Sequence, residues 1–204
     1  MRILDESCAK NARLHMKKLI LIGALILVST ALISIIGCAA QEVEREEYKT
    51  YSKYGFSFEY PKSFLAFEEG FLESEANDTS GIVTVGVVNH EYRSVDVCWV
   101  EDEEQSVGLE TGLDAGFDGM GEDKAVLNYE RGELVETTKE GHEILYQYYT
   151  ETHSDLGQVC GIAGIWYCDE SQRYYVLMTM NNTISSKEDV LADYLDYLDS
   201  FVCH

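Results

Sequence analysis

Four strand-like runs follow one another at Glu133–Thr138, Glu143–Thr150, Val159–Tyr167 and Tyr174–Asn181. The turns between them are Lys139-Glu140-Gly141, Ser154-Asp155-Leu156-Gly157 and Asp169-Glu170-Ser171-Gln172. Joining parallel strands takes a crossover of a dozen or more residues, and none of these gaps can hold one. The runs therefore form an antiparallel meander, and a chain containing it is committed to an antiparallel sheet.

The remaining elements are read against that sheet. Tyr54–Pro61 alternates aromatic and small or polar residues and closes on the single proline, which makes it the first strand candidate. Ile82–Val88 is apolar on both faces and fits a central strand covered on both sides; Ser94–Val100 is the next strand. Over Glu103–Met120, Leu109, Leu113 and Phe117 fall at i, i+4 and i+8, which predicts a helix. Gly108, Gly112 and Gly116 lie beside that stripe and each costs about 1 kcal/mol relative to alanine, so close packing on the sheet must compensate. A last helix is expected over Lys187–Val202, capped by Ser185 with Glu188 or by Ser186 with Asp189, with Val190, Leu191, Tyr194, Leu195, Leu198, Phe201 and Val202 on its apolar face. No linker or repeat interrupts residues 48–204, which read as one domain.

Strands, helix, meander and helix in that order give an α+β fold with helices packed on a mostly antiparallel sheet. The opening GFSFEYP at 55–61, the acidic mid-chain helix and the closing helix ending in Ser200-Phe201 resemble the PsbP-like family. Phe64 stands where that family usually carries tryptophan. The family's fold occurs in the lumenal extrinsic subunit of photosystem II, in a Ran-binding nuclear-import factor and in lipoproteins of bacteria and methanogenic archaea. The resemblance implies a three-layer α/β/α sandwich serving as a binding or accessory module, with no shared catalytic centre and no functional residue to carry over.

Ahead of the domain, Leu19–Gly37 carries no charge and follows Lys17-Lys18. A basic pair, an apolar run and small residues at its end make an export signal. The run ends in Ile35-Ile36-Gly37-Cys38, which resembles the lipobox of prokaryotic lipoproteins. That resemblance implies cleavage before Cys38, a diacylglyceryl group on its thiol, a signal segment over 1–37 and a lipid-anchored tether over 38–47. The alternative is an uncleaved signal anchor. Either way Lys17-Lys18 stays inside and the domain lies on the extracytoplasmic face of the cell membrane. Asp5 and Glu6 suit a signal poorly, so Met16 is the expected start of the natural chain.

The whole chain has a formal charge of −22, and residues 38–204 retain 10 basic against 35 acidic side chains, a net of −25. Such a surface repels phosphates and excludes nucleic acid as a partner. Anionic lipid headgroups repel it as well, so only the anchor at Cys38 holds the domain to the membrane. The remaining partners are cations, basic protein surfaces or an envelope protein complex.

Motifs that carry chemistry are missing: there is no GxSxG, HExxH, CxxC, P-loop or GxGxxG. His142 and His153 are eleven positions apart on one strand and its turn, too far for one strand to aim both at a metal. Each of these, and His90, reads as a surface histidine. Asp114-x-Gly116-x-Asp118 offers glycine where a calcium loop needs an oxygen ligand, so it reads as a glycine-rich helix end. Asn77 and Asn181 head glycosylation acceptor patterns beside turns. No catalytic residue, cofactor or metal ligand is assigned.

Four cysteines remain in the exported domain: Cys98, Cys160, Cys168 and Cys203. An even number outside the membrane points to two disulfides. Cys160 and Cys168 share one strand, roughly 26 Å apart at 3.3 Å per residue, against the about 4.4–6.8 Å that a disulfide needs. The strand Tyr174–Asn181 leaves the Cys168 end and rises roughly 25 Å, and the last helix returns roughly 24 Å. Cys203 thus comes back level with Cys168, and the expected pairs are Cys168–Cys203 and, by remainder, Cys98–Cys160. The alternative is four free thiols. The expected function is a non-catalytic accessory or binding lipoprotein, against an envelope hydrolase whose site only the fold assembles, or a weak divalent-cation binder.

Overall fold

The structure is a computed structural model that describes residues 47–88, 92–121, 124–183 and 186–204. The leader, Met16, Cys38, almost all of the tether and His90 lie outside the described residues. No helix among the described residues is long and apolar enough to cross a membrane.

A seven-stranded antiparallel sheet forms the middle layer. In chain order its strands are β3 (Leu65–Glu69), β4 (Ser80–Val88), β5 (Tyr92–Glu101), β6 (Val126–Lys139), β7 (His142–His153), β8 (Gly157–Cys168) and β9 (Arg173–Asn181). The spatial order is β3-β4-β5-β9-β8-β7-β6. The meander runs in sequence across β6, β7, β8 and β9, and β9 then docks beside β5, where Cys98 faces Val176. Helix α1 (Leu109–Gly121) covers one face, and helix α2 (Lys187–Ser200) lies on the other. Beside α2 sits a second sheet that joins β1 (Tyr48–Lys53), β2 (Phe56–Pro61) and β10 (Val202–Cys203) in the order β1-β2-β10. The layering is therefore helix, sheet, then helix plus a three-stranded sheet.

Turn chemistry sets the hairpins. Tyr54 and Gly55 carry φ of 53° and 76° between the paired residues Lys53 and Phe56. Glu140 and Gly141 repeat this at 51° and 92° between Lys139 and His142. Two-residue turns with both φ positive match the right-handed twist of strands, which is why glycine stands second in each.

Both sheet faces are apolar, as the run in β4 requires: Val83 and Val85 face α2, while Ile82 faces α1. On the α2 side, Phe201 is the hub of an aromatic cluster. Its ring lies 4.9 Å from Trp166, 5.1 Å from Tyr175 and 5.4 Å from Phe56. On the α1 side, Leu113, Phe117 and Met120 pack with Tyr149, Ile165 and Met178.

Several boundaries differ from expectation. Helix α1 starts at Leu109 rather than Glu103. The Asp102 carboxylate accepts from the Ser106 N–H at 3.0 Å and its hydroxyl at 2.7 Å, and Gln105 takes a left-handed φ of 45°, so a turn occupies the segment. Helix α2 begins as expected, with Ser186 accepting from the Asp189 N–H at 3.2 Å. It ends at Ser200 rather than Val202, because Phe201 is extended at φ −75°, ψ 130° and the chain passes into β10. Strands β1, β3 and β10 were not anticipated. Tyr54–Pro61 forms the hairpin turn and β2, the middle strand of the smaller sheet.

Candidate functional site

The element ends gather chemistry at one corner. Cys168 closes β8, Cys203 sits in β10, and they form a disulfide with Cα atoms 6.8 Å apart. β10 is there because Val202 and Cys203 pair with Ser57 and Phe56 of β2. The bond thus ties the small sheet to the end of the large one. His142, the first residue of β7, points its Nε2 at this disulfide, 3.8 Å from Cys203 Sγ. Glu170, in the β8–β9 loop, puts Oε2 3.6 Å from His142 Nε2 and 3.3 Å from Cys168 Sγ. The His142 side chain is 15% exposed and that of Glu170 67%. The ligand atoms of His142, Cys168, Glu170 and Cys203 all lie within 4.8 Å of one another. Sequence reasoning assigned no metal ligand and missed this set, because its members come from three strands and a loop.

Beside the corner opens a cleft of about 600 Å³, lined by Glu110, Glu143, Asp169, His142, Gln105 and Tyr167 among others, with no lysine or arginine among the described residues of its wall. The nearby Lys139 is turned away: its ammonium donates to the carbonyls of Leu198 and, at 3.0 Å, Phe201 at the end of α2. Cations are favoured at a helix C-terminus. Burial lowers the pKa of this lysine, while Glu140 and Asp199 oppose the shift.

The second expected disulfide does not form: Cys98 and Cys160 are free thiols. Cys98 packs on the α1 face and Cys160 on the α2 face. Strand β9 stands between them, with Cys98 opposite Val176 and Cys160 opposite Asn181. Five residues along that strand add roughly 17 Å at 3.3 Å per residue. Neither thiol is activated, since burial pushes Cys98 up to about 12, with the charge of Asp96 adding, and burial also raises Cys160. A thiol so placed stays protonated and inert.

Asp96 is the other unusual group. It is 2% exposed on the α1 face of β5, and neither carboxyl oxygen makes a hydrogen bond of ordinary geometry. Burial pushes its pKa up to about 7, with Glu69 adding; only the Thr84 hydroxyl, across the β4–β5 pairing, favours the anion.

The other singled-out residues have structural roles. His153 is buried, and its Nδ1 accepts from the backbone N–H groups of Asp155 and Leu156 at 3.1 and 3.3 Å, holding the β7–β8 turn. Neither His153 nor His142 is a surface histidine. Asp114 accepts from Arg131, which also donates to Gln147 at 2.7 Å and lies 4.5 Å from the Phe117 ring centroid. The Asp114–Asp118 segment is inside α1, so it is no calcium loop. The Asn77 side chain accepts from Thr79 and Ser80 in its own turn. Asn181 is buried with its side-chain carbonyl held by Thr183. Among the described residues, Ser57 Oγ lies 3.3 Å from His204 Nε2 beside the exposed small sheet.

No protein-family model matches the sequence, and no curated protein does. Solved structures share its architecture. The solution structure of cyanobacterial PsbP (CyanoP) from Synechocystis sp. PCC 6803 superposes with a TM-score of 0.50 at 14% identity, over 82% of this chain and 98% of that one. The crystal structure of the Saccharomyces cerevisiae Ran-binding protein Mog1p gives 0.49 at 12% identity, over 78% and 96%. The chain has the PsbP-like fold, a mostly antiparallel sheet with two helices. At these identities the likeness extends to the fold alone.

Proposed function

We propose that this chain is a non-catalytic accessory or binding lipoprotein, anchored through Cys38 on the outer face of the cytoplasmic membrane, whose carboxylate-walled cleft takes a basic segment of a protein partner. The observation that carries the reading is the cleft itself: Glu110, Glu143 and Asp169 converge in a wall that holds no lysine or arginine among the described residues, beside the disulfide. Complementary charge steers a basic partner and sets its register. The disulfide supports an oxidising compartment, as does the export signal.

The test is site-specific photocrosslinking from Thr111, in the cleft wall, in native membranes. A basic partner is expected, captured less efficiently by a chain carrying Glu110→Gln, Glu143→Gln and Asp169→Asn. Crosslinking from Thr111 that equals that from the exposed Leu127 on β6, or that ignores the charge removal, overturns the cleft reading. Cys38→Ala is expected to leave an uncut precursor lacking the lipid. Intact mass showing residues 16–37 retained in the native chain overturns the anchor.

A further inference from the structure

We propose that His142, Cys168, Glu170 and Cys203 form a redox-gated site for one thiophilic divalent cation of the zinc class, closed while the disulfide stands and opened by its reduction. The geometry supplies the argument. Zinc bonds sulfur at about 2.3 Å and imidazole nitrogen or carboxylate oxygen at about 2.0–2.2 Å in a tetrahedron. Ligand atoms around such an ion are therefore about 3.3–3.8 Å from one another. Three edges of that size already exist: Cys168 Sγ to Glu170 Oε2 at 3.3 Å, His142 Nε2 to Glu170 Oε2 at 3.6 Å and His142 Nε2 to Cys203 Sγ at 3.8 Å.

Of the other three edges, His142 to Cys168 and Glu170 to Cys203 lie within 4.8 Å, and the edge between the sulfurs is taken up by a bond. The two backbones stand 6.8 Å apart at Cα, at the wide end of the range a disulfide spans. Side-chain rotation alone can separate two thiolates to the remaining edge. The donor set of two sulfurs, one imidazole and one carboxylate is soft enough to select zinc over calcium or magnesium. His142 is held by its pairing with Lys139 of β6 and Cys168 by its pairing with Arg173 of β9, while β10 is fixed on β2, so the backbone of three of the four ligands is set by sheet register.

The chemistry balances. A dithiol reductant attacks the disulfide at Cys203, the partly exposed sulfur. Cys168, which is fully buried, leaves as thiolate and takes a proton. Resolution of the mixed disulfide then frees Cys203 as a thiol and leaves the reductant as its own disulfide. Binding of the cation by the two cysteines releases two protons. Disulfide and metal are thus alternative clasps for the same corner.

The experiment titrates Co²⁺, then Zn²⁺, into the full chain in detergent with Cys8, Cys38, Cys98 and Cys160 replaced by alanine, either oxidised or reduced with a phosphine. Reduced protein is expected to bind one Co²⁺ with thiolate charge-transfer and tetrahedral ligand-field bands that Zn²⁺ abolishes, and oxidised protein none. His142→Ala removes a ligand outright and is expected to weaken zinc by at least the about 10–100-fold that loss of an outer-shell partner costs. Equal binding in both redox states, or binding indifferent to His142→Ala, overturns the proposal. Because a variant can misfold, a second reading uses the unaltered reduced chain: Zn²⁺ must slow alkylation of Cys168 and Cys203, read peptide by peptide, and leave Cys98 and Cys160 unchanged. Unslowed alkylation overturns the proposal. The cleft reading is tested on oxidised protein, so either can fail without the other.

Discussion

Asp96 concentrates what a single side chain does to this fold. Its carboxyl has an ordinary pKa of 3.8 and is raised to about 7 by burial, so the folded protein favours the neutral form. A raised carboxyl contributes stability that is fully present below about pH 4 and is lost as pH climbs toward 7. At about 1.4 kcal/mol per unit, the loss is on the order of a few kcal/mol. Asp96→Asn keeps a polar group facing Thr84 and removes the charge. Urea unfolding at pH 5 and pH 8 is expected to show the variant gaining on the natural protein as pH rises. A constant difference between the two pH values would sink this account. No pattern in the sequence marks Asp96, because SVDVCWV reads as a strand with one polar member, and only the packing of α1 shows which face it buries.

Helix α1 shows where an element's pattern is read correctly and its purpose only in part. Leu113 and Phe117 are buried against the sheet as their spacing predicts. The three glycines were expected to share one role, yet they differ. A Cβ at Gly112 would meet Ile165 Cδ1 at 2.7 Å, whereas one at Gly116 or Gly108 would meet nothing within 4 Å. Close packing therefore accounts for Gly112 alone. Gly116→Ala is expected to stabilise the protein by about 0.5–1 kcal/mol through helix propensity. Gly112→Ala gains the same propensity but must displace the Ile165 terminal methyl in the packed core, so it is expected to leave the protein less stable than Gly116→Ala by about 1 kcal/mol or more. Equal melting temperatures for the two variants would refute the distinction. Strand β6 failed in the opposite way. It runs from Val126 to Lys139 along an exposed sheet edge, with register shifts around residues 127 and 132–133. A strand with no buried face and a broken register carries little alternation, so only Glu133–Thr138 was legible.

At the scale of the molecule, the Cys168–Cys203 bond closes a 35-residue separation and holds β9, α2 and β10 as one loop. Removing it by Cys203→Ser is expected to cost on the order of 3–4 kcal/mol in the chain-entropy model. Urea midpoints of the oxidised protein and the variant measure this, and equal midpoints would show that the aromatic cluster around Phe201 holds the corner unaided. The sequence by itself determined the meander, its turns and the identity of that disulfide. Alternation, a positive-φ glycine and the rise per residue of a strand and a helix are local quantities that sum along the chain. The tertiary structure decided the rest. Cys98 and Cys160 are separated because β9 inserts between their strands, and they face opposite sides because their partners on it, Val176 and Asn181, stand an odd number of residues apart, a register set by long-range pairing. His142 meets Cys203 across 61 residues only because β2 recruits β10 and α2 ends one residue before Phe201 turns into the core. Such convergence depends on register and docking energies that no local pattern contains, so the corner that carries the chemistry was invisible until the elements were packed.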